Sequence, residues 1–435
     1  MALTATQIGL ARIAHRLERS NDLNRLLAEI GEAKYVLIGE ASHGTSDFYA
    51  WRAALSRRLI REKNFNFVAV EGDWPPCYEV NRYVKNYFYT ETPAEEVLNV
   101  FERWPSWMWA NKEVARFITW LKDHNLNLPK DKRAGFYGLD VYSLWESLEN
   151  VLDYLTIKYP ELLPEVSKIF RCFEPYVGNE YGYARASAIM PKSCEDEVIG
   201  LLVKLQKRHR EAPHVADAEE KFNAEQNARV AVNAERYYRA TMLGSDESWN
   251  VRDSHMVKTL YEIASRYGEK AKGIVWAHNT HVGDARYTDM GSAGMVNVGQ
   301  LVREQSSREN VFIVGFGTYE GTVIAGKYWD APQEIMPVPR AIPSSWEADL
   351  HHYIGEDALL LSHELKDVEG SHRPRGHRAV GVVYSPEQER GNYVPSVLPD
   401  RYDSFMHIER SSALHPIHPE HPPAGELPDT FPFAF

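Results

Sequence analysis

Cysteine is scarce in this 435-residue sequence: Cys77, Cys172 and Cys194 are the only three, widely separated and odd in number. That pattern argues against a disulfide framework and against a cysteine zinc cluster, and points to a reducing compartment. Positive charge is also in deficit, with 49 Lys and Arg against 61 Asp and Glu and a formal net charge of -12. Phosphate neutralisation needs concentrated Lys and Arg, so this balance argues against a general nucleic-acid binder. No apolar run is long enough to cross a bilayer, and the opening segment MALTATQIGLARIAHRLERS lacks the basic-then-apolar order of a signal peptide. The expectation is a cytoplasmic protein without membrane or nucleic-acid partners. Two catalytic signatures are missing as well: there is no G-x-S-x-G nucleophile elbow and no Walker sequence. Gly291, Gly294 and Gly299 are too irregular for a dinucleotide fingerprint, and nothing calls for a cofactor.

What the sequence does contain is organised around Tyr35–Glu62. Five residues, Tyr35 to Gly39, read as a short buried strand. The polar turn Glu40-Ala41-Ser42-His43-Gly44-Thr45 follows, and then a helix on which Phe48, Trp51, Leu55 and Leu59 share a stripe. Thr45, Ser46 and Asp47 offer helix N-cap chemistry. Arg52 sits beside the stripe, half buried, and calls for a carboxylate or substrate partner.

Further strands are expected at Phe67–Val70, closed by Pro75-Pro76, and at Gly135–Leu139, Gly273–Ala277, Val311–Phe316 and Ala379–Tyr384. Thr4–Ile30 reads as two helical pieces, the first carrying Ile8, Ile13 and Leu17, and Cys77–Tyr89 as another helix bearing Tyr83, Tyr87 and Phe88. Thr322–Ile342 has the Pro and Gly content of a loop or short hairpin. Between Ser143 and about Tyr267 the strand signal vanishes, and Ala224, Ala228, Ala231 and Tyr238 line one helix face. Strands alternating with helices predict a three-layer α/β/α fold with a mostly parallel central sheet and a helical subdomain inserted after the third strand. The divisions are 1–142 and 269–410 for the α/β core, 143–268 for the helical subdomain, a possible lid or a plain buttress, and 411–435 for a Pro-rich tail.

Four of these strands end in ionisable groups: Glu40 with His43, Glu71 with Asp73, Asp140, and His278 with His281. In a parallel sheet they would gather along one rim, where open α/β folds bind ligands. Singly, each has an ordinary use: a carboxylate after a strand is often a helix cap, and a lone loop histidine is more often structural than catalytic. Jointly they fit a hydrolase in either of two arrangements. A histidine could act as general base on water, oriented by a carboxylate, since its unperturbed pKa of about 6.5 lies near operating pH. Alternatively, the E-x-x-H and H-x-x-H spacings could ligate a divalent metal that activates the water. A binding protein that keeps the rim only to hold a ligand is a third possibility. Ser42 is better suited to stabilising the turn than to nucleophilic attack. Arg252 and Asp253, near the start of a helix, form an exposed ion pair in the plain reading and reach back to the rim in the functional one. The acids make a cationic substrate conceivable.

Taken together, GEASHGT with its Trp-Arg helix, VEGDWP, YGLDVYS, WNVRDSHM, WAHNTH and AVGVVYSPEQERGNYVPS with LPDRYDSF resemble the erythromycin esterase family across Tyr35 to Phe405. The resemblance implies an α/β core with a helical subdomain and hydrolysis of a carboxylic ester, in the name-giving members a macrolide lactone. It implies water attack without a covalent intermediate or required metal. It would make His43 the general base, with Glu40, Glu71, Arg52, His278 and His281 as its catalytic companions. Trp74, Asp140, Arg252 and Asp253 would then be placed for substrate binding. The implied partner is a small-molecule ester.

Overall fold

The computed structural model describes residues 5–87, 91–187, 193–212, 214, 217–242 and 245–418. Thr4, Phe88 and Tyr89 of the expected helices, and the Pro-rich tail from residue 419, lie outside the described residues. Eleven strands follow in chain order: β1 His15–Arg16, β2 Tyr35–Ile38, β3 Phe67–Asp73, β4 Gly135–Asp140, β5 Gly273–Trp276, β6 Val311–Ala325, β7 Glu334–Val338, β8 Ala358–Leu361, β9 Arg375–Arg378, β10 Tyr393–Ser396 and β11 Ser404–Ser411. Nine form one sheet in the order β1-β8-β11-β6-β2-β5-β3-β4, with β7 paired to β6, and helices accompany it in a mixed α/β fold. β11, β6, β2 and β5 run parallel to one another in that order, whereas β8, β1 and β7 are antiparallel additions.

β2 and β5 are buried at every residue, as an apolar run inside a parallel sheet must be. The sheet differs from the sequence expectation in identifiable ways. β6 extends far past Phe316 and folds back through β7, so the Pro- and Gly-rich stretch is a hairpin. Ala379–Tyr384 is not a strand of the sheet; it makes isolated bridges from Val380 to Ser42 and from Val383 to Gly326, its apolar residues packing against the sheet instead of pairing in it. β8 and β11, which the sequence did not single out, join the sheet on the far side of β6 from β2. Leu17 follows β1 and is not helical, because the first helix ends at Ile13. Pro75 and Pro76 begin the helix Trp74–Val84, where proline needs no N–H partner, and do not close a turn.

The chain forms two compact units: residues 1–69, 80–136 and 263–435, and residues 70–79 with 137–262. In the second unit the helices Leu144–Lys158, Leu163–Phe173, Glu180–Ser187, Glu195–Glu211 and Ala218–Ala240 enclose a core of their own. Ala224, Ala228, Ala231 and Tyr238 belong to it, so the small-residue face does allow close packing. Asp217 caps the last of these helices through the N–H groups of Glu219 and Glu220. Cys172 and Cys194 form a disulfide here, with Cα atoms 5.9 Å apart. The expectation of unpaired cysteines is thereby corrected: their separation in sequence concealed that the helix ending at Phe173 returns to the start of the helix beginning at Glu195. Among the described residues, no helix is long and apolar enough to cross a membrane.

Candidate active site

The first unit holds Glu40, His43, Arg52, His278 and His281; the second holds Glu71, Trp74, Asp140, Arg252 and Asp253.

In the first unit, β2 delivers the chain directly into the Glu40–Thr45 turn. Gly44 is required there because a side chain would overlap the carbonyl of Ile324, whose N–H donates to the Gly44 carbonyl at 3.0 Å. The Ala41 carbonyl accepts from the N–H of Val380 at 2.8 Å, and Leu414 N–H donates to Gly44 at 3.0 Å. Thr45 occupies the N-cap of the helix Ser46–Lys63, yet its hydroxyl pairs with that of Ser42 and does not cap the helix. Asp47 likewise turns away, accepting from Ser412 N–H at 2.6 Å. Arg52 is wholly buried, and the buried face of this helix passes through Tyr49 and Arg52 in place of Trp51.

Within this frame His43 Nδ1 lies 2.9 Å from Glu40 Oε1, and Arg52 Nη2 lies 2.7 Å from Glu40 Oε2. Arg52 also packs its guanidinium over Tyr49 at 4.1 Å and Trp276 at 5.1 Å from the ring centroids. All three side chains are nearly sealed from solvent. With the Nδ1–H of His43 donated to Glu40, Nε2 is the ring nitrogen left with a lone pair. The ring of His278 lies 4.9 Å from that of His43. His278 Nδ1 accepts from the Thr280 N–H at 3.3 Å and lies 2.8 Å from its hydroxyl. In the neutral ring the proton is therefore assigned to Nε2, making His278 a donor on that side. His281 is buried on the one-turn helix Asn279–Val282 that follows.

In the second unit, Arg252 donates from Nε and Nη2 to the two oxygens of Asp140 at 2.8 and 2.7 Å, and from Nη2 to Glu71 at 2.8 Å. Asp140 also accepts from the Val141 N–H at 2.9 Å, and the guanidinium lies 4.8 Å from the Tyr142 ring centroid. Arg252 is thus buried, and its bidentate partner is Asp140 at the end of β4, with Glu71 of β3 beside it. Burial opposes the charge on Arg252, but Asp140, Tyr142 and Glu71 overcome it and hold the guanidinium well above its ordinary pKa. His255, one helical turn on, is pushed down to about 4 by burial against the opposing pull of Asp140, and is neutral at pH 7. Asp253 is buried on the same helix. Trp74 stacks between Tyr78 and Tyr137 and donates from Nε1 to Asn223 at 2.9 Å.

Asn279, Glu347 and His377 are among the buried polar residues that the sequence reading did not single out. Asn279 lies inside the H-N-T-H segment, whereas Glu347 and His377 come from the helix Trp346–Tyr353 and from β9 and are 2.6 Å apart. Only the polarity of Asn279 between two histidines signalled anything; Glu347 and His377 carry no informative spacing. Among the described residues, no three His, Cys, Asp or Glu side chains are grouped so as to hold a metal ion.

Residues 60–411 match the model of the erythromycin esterase family, a span that begins after the Glu40–His43 turn. Several solved structures are similar across nearly the whole chain. A succinoglycan biosynthesis protein has 21% identity and a TM-score of 0.76, covering 94% of this chain and 97% of its own. A Bacillus cereus protein has 21% identity and a TM-score of 0.72, over 96% of this chain and 100% of its own. An erythromycin esterase, solved as a histidine-to-asparagine mutant in its open conformation, has 17% identity and a TM-score of 0.67 over 93% and 96%. At these identities the likenesses establish the fold.

Proposed function

The chain belongs to the erythromycin esterase family and is a hydrolase of that type; on that premise we propose that it hydrolyses a carboxylic ester by direct attack of water, with His43 as general base. The observation that carries this reading is the buried sequence Arg52–Glu40–His43, with the ion pair at 2.7 Å and the hydrogen bond at 2.9 Å. Arg52 pairs with Glu40, and Glu40 fixes the tautomer of His43 and stabilises the imidazolium that forms when the ring takes a proton.

The reaction follows from that arrangement. Water bound at His43 Nε2 gives its proton to the ring as its oxygen bonds to the acyl carbon, and the carbonyl π electrons move onto oxygen. His278, donating through Nε2, stabilises that oxyanion. On collapse the acyl carbon–alkoxy bond breaks and His43 returns the proton to the leaving oxygen, giving acid and alcohol. A macrolide lactone is the substrate class suggested by the family name and by the solved erythromycin esterase.

The test is hydrolysis of erythromycin and of simple aryl esters in 18O water, with and without chelator. Chelator-insensitive incorporation of one labelled oxygen into the acid product, lost in His43→Ala, supports the reading. Strict chelator loss restored by one metal favours a metal-dependent hydrolase, and tight binding of macrolide without turnover favours a binding role.

A further inference from the structure

Glu347 and His377 are both completely buried, and neither contributes to the reaction described above. Glu347 Oε1 lies 2.6 Å from His377 Nδ1 and also accepts from the Arg378 N–H at 2.9 Å. The far nitrogen of His377, Nε2, lies 3.2 Å from the amide nitrogen of Asn279. Asn279 is the residue between His278 and Thr280, and all of its polar groups are engaged. Its amide donates to the Phe316 carbonyl at 2.7 Å and accepts from the Phe316 N–H at 3.3 Å. Its backbone N–H donates to the carbonyl of Glu40 at 2.9 Å, and its own carbonyl accepts from Arg401 Nη2 at 2.9 Å. Gly39 makes the approach possible, since a side chain there would overlap Asn279 Oδ1.

We propose that the Glu347–His377 pair is a positioning device for the hydrolytic histidines: through Asn279 it fixes the turn carrying His278 and His281 against the turn carrying Glu40 and His43. The proposal deepens the hydrolase reading and rests on it. Asn279 can donate to His377 only if Nε2 holds a lone pair, which requires the ring proton on Nδ1, where Glu347 accepts it. Burial pushes the His377 imidazole below its ordinary pKa despite Glu347, so the neutral ring is the form present. A carboxylate that selects one tautomer thereby orients an asparagine amide, and the amide's own backbone ties the two catalytic turns together. Neither Glu347 nor His377 is accessible to substrate, so their contribution acts through geometry, as supporting groups do when reacting groups must be held to a fraction of an ångström.

The test compares wild type, His377→Leu, His377→Gln and Glu347→Gln, with erythromycin and p-nitrophenyl acetate as probes. Loss of the acceptor in His377→Leu is expected to lower kcat roughly tenfold or more with KM within about twofold. His377→Gln, whose Oε1 can accept from Asn279, is expected to recover most of the loss. A folded His377→Leu with kcat near wild type, or a Gln variant no better than Leu, overturns the proposal. If His377→Leu does not fold, Glu347→Gln decides, since it keeps the acceptor but loosens the tautomer: reduced kcat supports the device and unchanged kcat refutes it. If wild type hydrolyses neither probe, the hydrolase reading fails by itself, and the positioning claim is judged on 15N-histidine NMR. The ring signals of His43 and His278 must then move in a folded position-377 variant or in Glu347→Gln; unmoved signals overturn it.

Discussion

His43 and His278 present their rings to each other at 4.9 Å between centroids, although they stand at the ends of two different parallel strands, β2 and β5. Glu40 meets the Nδ1 of one ring and Thr280 the Nδ1 of the other, the arrangement on which the proposed base and donor roles at Nε2 rest. His43→Ala should therefore lower kcat by about 10²–10⁴-fold, the usual contribution of a positioned general base. His278→Ala should lower kcat with less effect on KM, since its donor acts on charge that develops only in the transition state. Steady-state kinetics on a hydrolysed ester measures both; a His43→Ala enzyme as active as wild type removes the proposed base.

Arg52 is the buried counter-ion of Glu40. Arg52→Met leaves a carboxylate sealed without its cation and should cost about 3–5 kcal/mol in stability. Arg52→Lys should restore little, because a lysine cannot reproduce both the ion pair and the stacking on Tyr49 and Trp276. Urea unfolding of the three proteins is the measurement, and equal midpoints for wild type and Met would show that Glu40 does not depend on Arg52.

His255 gives the second unit a defined acid sensitivity. Its folded pKa, about 4, lies below the ordinary 6.5, so the unfolded chain binds the proton first. Stability from this group is full above about pH 6.5 and declines as pH falls toward 4, by about 3 kcal/mol in all. His255→Gln should flatten the stability–pH curve over that window. A variant with the wild-type slope would place the acid sensitivity elsewhere.

The segment after β11 holds the Glu40–Thr45 turn from outside. Leu414 N–H donates to Gly44, Ser46 N–H donates to Ser412, and His415 pairs with Glu113 at 2.7 Å, which in turn accepts from the Ser46 hydroxyl at 2.7 Å. A chain ending at residue 411 should lose most of its kcat, whereas one ending at residue 418 should keep it, because these described bonds all lie before that point. Comparable activity in the two truncations would deny the segment this role.

Cys172–Cys194 closes a loop with a sequence separation of 22. On the chain-entropy account a loop of this size is worth about 3 kcal/mol. Reductant or Cys194→Ser should lower the melting temperature of the oxidised protein by several degrees, while mass spectrometry tracks the loss of the crosslink. No change on reduction would mean that the bond adds nothing to stability.

The alternation of short apolar runs with helices was enough to identify an α/β fold, because buried strands and amphipathic helices each impose a residue period that one sequence displays. The Glu40–His43 turn was likewise legible, since both residues follow one strand and their separation is set locally, but the spacing left open whether the two would meet each other or a metal. β8, β11 and the displacement of Ala379–Tyr384 from the sheet were not legible, because an apolar run states that it will be buried but not by which neighbour. The same holds for the disulfide and for Arg252 against Asp140 and Glu71, whose partners are far apart in the chain. The Glu347–His377–Asn279 connection is the extreme case. Each residue is unremarkable in its local sequence, and only the packing of a helix, a short strand and a turn puts their polar atoms at hydrogen-bonding distance with no water to replace them.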